Sequence, residues 1–214
     1  MVTAIEFKSM LYGIKEKGYN RKTIGILFAN PDEDIVGREI LPKLNYLHHR
    51  SKKKIDFFFP GYGQYWNESY APDFEDVITI EGNRWLFSNK KYVEFIEELE
   101  KDSKWEYSGE TDLIIIEYIN DCLDFKNAII ININNAYRCK SIPSSSRLFE
   151  IIFREFEKGK ITPYELSDIL ALRFGGTIKE FIIDLIPGKM GDTVKSASKV
   201  YEQLNMFAIR NIEK

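Results

Sequence analysis

Cysteine is nearly absent from this chain: Cys122 and Cys139 are the only two, and neither belongs to a CxxC pair. Histidine is as scarce, with His48 and His49 side by side. That leaves no ligand set at zinc spacing and no disulfide framework, so free, buried thiols in a reducing cytoplasm are expected, with no metal and no cofactor. G-x-G-x-x-G and G-x-x-x-x-G-K-[ST] are both missing, which removes the phosphate cradles of the dinucleotide and P-loop families. Long apolar runs are missing as well. Met1 to Tyr19 carries Glu6, Lys8, Lys15, Glu16 and Lys17, so it reads as neither signal peptide nor span, and no later run is long enough to cross a membrane. A positive field is lacking too: the net charge is −3 over 214 residues. Wholesale nucleic-acid binding needs the opposite balance. The expectation is a soluble, cytoplasmic protein with no DNA and no membrane partner.

What is present is an ordinary hydrophobic share of 44%, enough for a normal core. Aromatics are abundant at 14%, and a surplus gathered in one loop would make a stacking surface. One local basic run, His48 to Lys54, also reads as a solvated helix end.

Residues 3–17 place Ile5, Met10, Leu11 and Ile14 at helical spacing, with a stop near Gly18. Thr23 to Ala29 is a short, almost continuous apolar run, as for a strand buried on both faces. Pro31 and Asp32 open a helix with apolar Ile35, Val36, Ile40, Leu44 and Leu47; Pro42 kinks it or postpones its start. Ile55 to Phe59 is a second strand. Val77–Ile80 and Arg84–Phe87 flank Glu81-Gly82-Asn83 as a hairpin. Ser88 or Asn89 caps a helix with core face Tyr92, Val93, Phe95, Ile96 and Leu99. Thr111 to Tyr118 and Ala128 to Ile133 are further buried strands.

The last third reads as helical. A helix follows Ser144-Ser145-Ser146. Thr162-Pro163-Tyr164-Glu165 is a capping box that starts another, ending at Gly175-Gly176. A short helix from Thr177 and a final one from Asp192 complete the chain. The fold class expected is α/β: a three-layer, Rossmann-like or flavodoxin-like, mostly parallel sheet with a helical C-terminal extension. Its parts would be an N-terminal helix (1–19), an α/β ligand-binding domain (20–160) and a helical C-terminal subdomain (161–214).

In such sheets ligands bind where strand C-termini pass into loops. Asn30 and Asp32 sit in the first such loop and would hold ribose hydroxyls, although Asp32 also serves as a plain helix cap. In the second, Tyr62, Tyr65 and Trp66 offer flat faces to a base beside Gly61 and Gly63, whose backbone permits close approach; the same aromatics could instead fold over their own core. Arg50 and Lys52 could meet a phosphate.

A third segment runs from the strand Ala128–Ile133 to Ser144-Ser145-Ser146-Arg147-Leu148-Phe149-Glu150. Its order of strand, small hydroxyl residues, aromatic and glutamate resembles the nucleoside 2-deoxyribosyltransferase-like family and the TIR-like domains. The resemblance implies that Glu150 attacks or supports an anomeric carbon, with Ser146 in the ligand site. Serine replaces the glycine of the deoxyribosyltransferase segment, and the aromatic-Cys step of TIR domains is missing. Together these readings suggest a nucleotide- or nucleoside-binding protein that cleaves an N-glycosidic bond. The alternatives are a non-catalytic nucleotide sensor and a protein-interaction module with an aromatic contact loop, and either would take a signalling partner or a second copy of the chain.

Overall fold

The computed structural model describes residues 6–51, 56–64, 66, 69–159, 161–174 and 205–214. Helix α1 (Phe7–Glu16) buries Phe7, Met10 and Ile14 and ends before Gly18, whose φ of +67° suits glycine. Strand β1 (Arg21–Phe28) follows, buried from Thr23 onward. The chain then turns through a π-helical stretch (Val36–Ile40) and a 3-10 turn (Leu41–Lys43) before α2 (Leu44–Ser51). Pro42 sits where regular helix gives way, because its ring and missing N–H break the hydrogen-bond ladder. Strand β2 (Asp56–Phe58) pairs in parallel with β1, with Gly25 opposite Phe57.

A small antiparallel sheet comes next: β3 (Tyr62–Gly63), β4 (Glu75–Ile80) and β5 (Asn83–Phe87), in the order β3-β5-β4. The β4–β5 hairpin turns on Glu81 (φ +51°) and Gly82 (φ +78°), as a two-residue turn of matching twist requires. Helix α3 (Asn89–Asp102) is capped by Ser88, whose hydroxyl accepts the Lys91 N–H at 3.1 Å.

Strand β6 (Asp112–Ile119) lies antiparallel to β1, and β7 (Cys122–Leu123) turns back on it. β8 (Ala128–Asn132) adds on the far side of β6, also antiparallel. Then come α4 (Ile133–Arg138), α5 (Ser145–Glu157), α6 (Pro163–Phe174) and β9 (Ile209–Arg210), the last antiparallel to β8. The central sheet therefore runs β2-β1-β6-β8-β9.

The class is α/β with a mixed sheet. The mostly parallel arrangement expected from the sequence is corrected: among the described residues only β1–β2 is parallel. The reason is connectivity. β6 and β8 are joined by a short turn through β7 with no crossover helix between them, and a short connection makes neighbours antiparallel.

Alternation along β1 feeds two helical layers. Phe28 stacks on Trp105 (4.7 Å) and meets Phe95 of α3 edge-on (5.7 Å). On the other face, beside Gly25, Phe57 meets Phe149 (5.9 Å) and Phe153 (5.1 Å) of α5. Each fully buried ring contributes roughly 1.5–3 kcal/mol. α6 packs on β6, β8 and β9 through buried Leu166 and Leu170. Its Thr162–Glu165 capping box is formed: the Thr162 N–H donates to Glu165 at 2.8 Å and the Glu165 N–H to Thr162 at 3.3 Å.

Two smaller expectations are corrected. Val93 is 41% exposed and lies off the core face of α3. Cys122 is exposed and Cys139 half-buried, both as free thiols, because β7 is a surface turn and Cys139 follows the last turn of α4. The helices expected from Thr177 and Asp192 lie outside the described residues. Among the described residues no helix is long and apolar enough to cross a membrane.

Candidate functional site

The loop after β1 is occupied with its own turn. Asn30 accepts the Asp32 N–H on its side chain (3.0 Å) and the Glu33 N–H on its carbonyl (3.0 Å), and Asp32 is exposed. Tyr62 is 2% exposed and donates its hydroxyl to the Ala29 carbonyl at 2.7 Å. Burial, reinforced by Glu33 and Asp32, raises its pKa well above the usual phenol value. Trp66 lies over Gly63, its indole occupying the space a β-carbon would need, and is 6.1 Å from Tyr70. Tyr65 and Lys52 lie outside the described residues.

Glu150, on α5, faces α2. Its carboxylate accepts from the Tyr46 hydroxyl and from Arg50 (3.2 Å), and Arg50 also reaches Glu157. The Tyr46 hydrogen bond, with Arg50 beside it, holds the Glu150 carboxyl below the usual carboxylate range. Ser146 buries its hydroxyl without a partner among the described residues. The structure thus brings Arg50 to Glu150 and ties Tyr62 to the backbone beside Asn30. No described hydrogen bond or ring contact joins the Glu150 group to Asn30, Tyr62 or Trp66.

A different constellation gathers where β6 begins and β8 ends. After α3, Ser103 donates its hydroxyl to the Leu99 carbonyl (2.8 Å) and accepts the Trp105 N–H (3.2 Å), turning the chain inward. The C-terminal segment fastens alongside: the Lys104 N–H donates to the Ile212 carbonyl (2.6 Å), and Ile212 donates to Phe125 (2.8 Å). Asp112 and Asn132 pair across β6–β8. Asn132 accepts the Asn135 N–H at 2.6 Å, capping α4, and donates to Ser108 at 2.9 Å.

Between these pieces lies a cavity of about 500 Å3. Trp105, Asp112, Ile130, Met206 and Ile212 line it, with Ser108 and four asparagines, Asn132, Asn135, Asn205 and Asn211. Lys104, Arg210 and the acidic Glu106, all exposed, also border it. Its volume lies within the range of small-molecule sites.

Asp112 is 1% exposed. Burial pushes its carboxyl up to about 6; the Ser108 N–H and the Ser108 and Asn132 side chains pull the other way, and the Glu33 charge raises it further. One oxygen accepts from the Ser108 N–H at 3.1 Å. The other, Oδ1, has no partner among the described residues, and neither has Trp105 Nε1, an indole donor on a residue 3% exposed. Glu33, close enough to act on Asp112, accepts from Thr111 (3.0 Å) and Asn134 (3.1 Å). Sequence reading passed over Asp112, since a single aspartate at the start of an apolar strand looks like punctuation. Its signal was position: a carboxylate opening a strand buried on both faces is desolvated.

Among the described residues no cluster of three or more His, Cys, Asp or Glu side chains could hold a metal. Comparison with protein-family models, curated proteins and solved structures returns no match.

Proposed function

We propose that the protein binds a nucleotide- or nucleoside-class ligand in the cavity between Trp105 and Asp112, and that it acts as a sensor of that ligand. One observation carries the reading: a donor and an acceptor, both buried and both unpartnered among the described residues, belong to residues lining the same cavity. Unmet buried polar groups cost about 1–3 kcal/mol each, and a ligand that supplies both partners recovers that cost. The Trp105 N–H fits a base nitrogen or carbonyl, and Asp112 fits a ribose hydroxyl. Asparagines can donate and accept at further hydroxyls. Lys104 and Arg210 suit a phosphate.

Glycosidic cleavage, the reaction implied by the TIR-like and deoxyribosyltransferase-like resemblance, would use Glu150. The sensor reading is preferred because Tyr46 and Arg50 already engage that carboxylate.

The test is calorimetric titration with AMP, adenosine and NAD, beside chromatography for released base. Saturable binding that weakens roughly tenfold or more in Asp112→Asn, with no base released, is the expected result. Base released by wild type and lost in Glu150→Gln would replace the sensor with an enzyme. No binding of any of the three would end the nucleotide reading.

A further inference from the structure

Glu33 belongs to the turn after β1, yet its hydrogen bonds go to the two strand ends that carry the Asp112 cavity. Its Oε2 accepts from the Thr111 hydroxyl at 3.0 Å and from the Asn134 side-chain amide at 3.1 Å. Thr111 immediately precedes Asp112, and Asn134 stands two residues after Asn132. Asp112 and Asn132 both line the cavity. The Thr111 N–H closes the ring by donating to Asn134 Oδ1 at 3.3 Å, and the Ile133 N–H donates to the Thr111 carbonyl at 2.8 Å. This ring adds to the β6–β8 ladder in holding the start of β6 against the end of β8, and so in fixing the spacing of Asp112 and Asn132.

The other oxygen of Glu33, Oε1, is sealed from solvent and has no hydrogen-bond partner among the described residues. A charge met on one oxygen only, and shielded from water, reaches its neighbours with little screening. Asp112 is such a neighbour, and the Glu33 charge adds to the burial that raises its carboxyl. Other ionisable groups come from the elements packed around Asp112. Lys104 and Glu106 before β6 and Arg210 on β9 border the cavity but are exposed, where solvent screens them. Tyr107 is pushed up to about 12 by burial and is neutral wherever Asp112 titrates. Glu110 is held by Arg138 at 2.6 and 3.0 Å.

We propose that Glu33 is a positioning residue of the Asp112 cavity: its ring with Thr111 and Asn134 sets the geometry, and its charge sets the pH at which Asp112 becomes an ionised acceptor for a ligand hydroxyl. This role rests on that cavity being the ligand site. An ionised carboxylate accepts more strongly than a neutral one. Affinity for a hydroxyl-bearing ligand should therefore rise as pH rises through the Asp112 midpoint, and removing the Glu33 charge should move that midpoint down.

The experiment follows the Asp112 carboxyl carbon by NMR against pH in the full chain without ligand. Glu33→Gln keeps a carbonyl oxygen for Thr111 and Asn134 but removes the charge, and should lower the Asp112 midpoint. Thr111→Val loosens the ring and keeps the charge, so its midpoint should stay near that of wild type. Circular dichroism shows which variants fold, and Glu33→Ala, which removes the same charge, stands in if Glu33→Gln does not. Calorimetry with adenosine, which has no phosphate to titrate, then reads the ligand side. Its affinity should rise roughly tenfold from about pH 5 to 7.5 in wild type, the difference between a charged and a neutral acceptor, and the profile should move to lower pH in Glu33→Gln. An unchanged Asp112 midpoint in the folded variant would overturn the proposal. So would an equal shift in Thr111→Val, or an adenosine affinity that stays flat while Asp112 titrates. Absence of adenosine binding at every pH would end the nucleotide reading, and the carboxyl titration would still decide what Glu33 does to Asp112.

Discussion

Two carboxylates, Asp112 and Glu150, differ in environment, and their differences decide what each can do. Asp112 is buried and its carboxyl is raised to about 6 by desolvation. A carboxyl whose folded pKa lies above its unfolded value of about 3.9 is held more tightly protonated by the native state. The stabilisation this gives is complete below the unfolded pKa and is lost as pH rises through 6. Asparagine at 112 has no charge to bury, so Asp112→Asn should gain on wild type as pH rises from 4 to 7.5. A shift of about two units corresponds to roughly 3 kcal/mol as an upper bound. Urea unfolding at pH 4 and 7.5 measures it; parallel pH profiles for the two proteins would mean that Asp112 is as solvated as a surface aspartate. Glu150 lies nearer solvent, with 36% of its side chain exposed. Its lowered pKa reflects Tyr46 and Arg50, and screening discounts such pairs. Glu150→Gln should therefore cost less than about 1 kcal/mol in the same unfolding assay. Under the sensor reading it should also leave AMP affinity unchanged.

At the scale of elements, glycines separate backbone demand from packing demand. Gly82 has φ +78° with open space where a β-carbon would go. Gly61 has φ +80° and would place that carbon 2.7 Å from the Phe87 ring and 2.9 Å from Tyr92. Gly82→Ala should cost about 1–2 kcal/mol for the left-handed backbone alone. Gly61→Ala adds overpacking of about 1–3 kcal/mol, so thermal unfolding should rank it clearly below Gly82→Ala. Equal melting temperatures would mean that the aromatic cluster yields freely. Much at this scale was legible in the sequence, because it depends on neighbours along the chain. The Thr162 cap and the apolar runs of β1, β6 and β8 fall where residue chemistry put them; of the two candidate caps Ser88 is the one used, and the hairpin turns on Glu81-Gly82, with Asn83, expected in the turn, opening β5. Strand direction was not legible: an apolar run is the same in a parallel or an antiparallel pair, and β7 is too short to announce a hairpin. The Asp112 cavity was hidden for a related reason. Its walls come from residues 104–112, 130–135 and 205–212, which only the sheet order makes neighbours.

For the molecule as a whole, the decisive feature is that the chain's end returns to the central sheet. β9 pairs with β8, Ser103 bridges to Glu213, and the Lys214 ammonium donates to the carbonyls of Glu100 and Lys101 at 2.7 Å, where α3 ends. Phe207 is 1% exposed, stacks on Phe174 of α6 at 5.6 Å, and accepts the Ser167 hydroxyl on its carbonyl at 2.6 Å. Its neighbours Met206, Arg210 and Ile212 form one wall of the cavity that Asp112 and Trp105 close from the other side. The segment from Met206 to Ile212 thus closes the cavity on that side. Phe207→Ala removes a ring from the joint between α6 and this segment and should cost about 3–5 kcal/mol. Because Phe207 does not line the cavity, any loss of AMP affinity in the folded variant must come through displacement of Met206 and Ile212. Denaturant unfolding and calorimetry on the same preparation separate the two effects. Lower stability with weaker AMP binding would tie the ligand site to the docked C-terminus. Lower stability with unchanged AMP binding would show that the Asp112–Trp105 face holds the ligand without that wall.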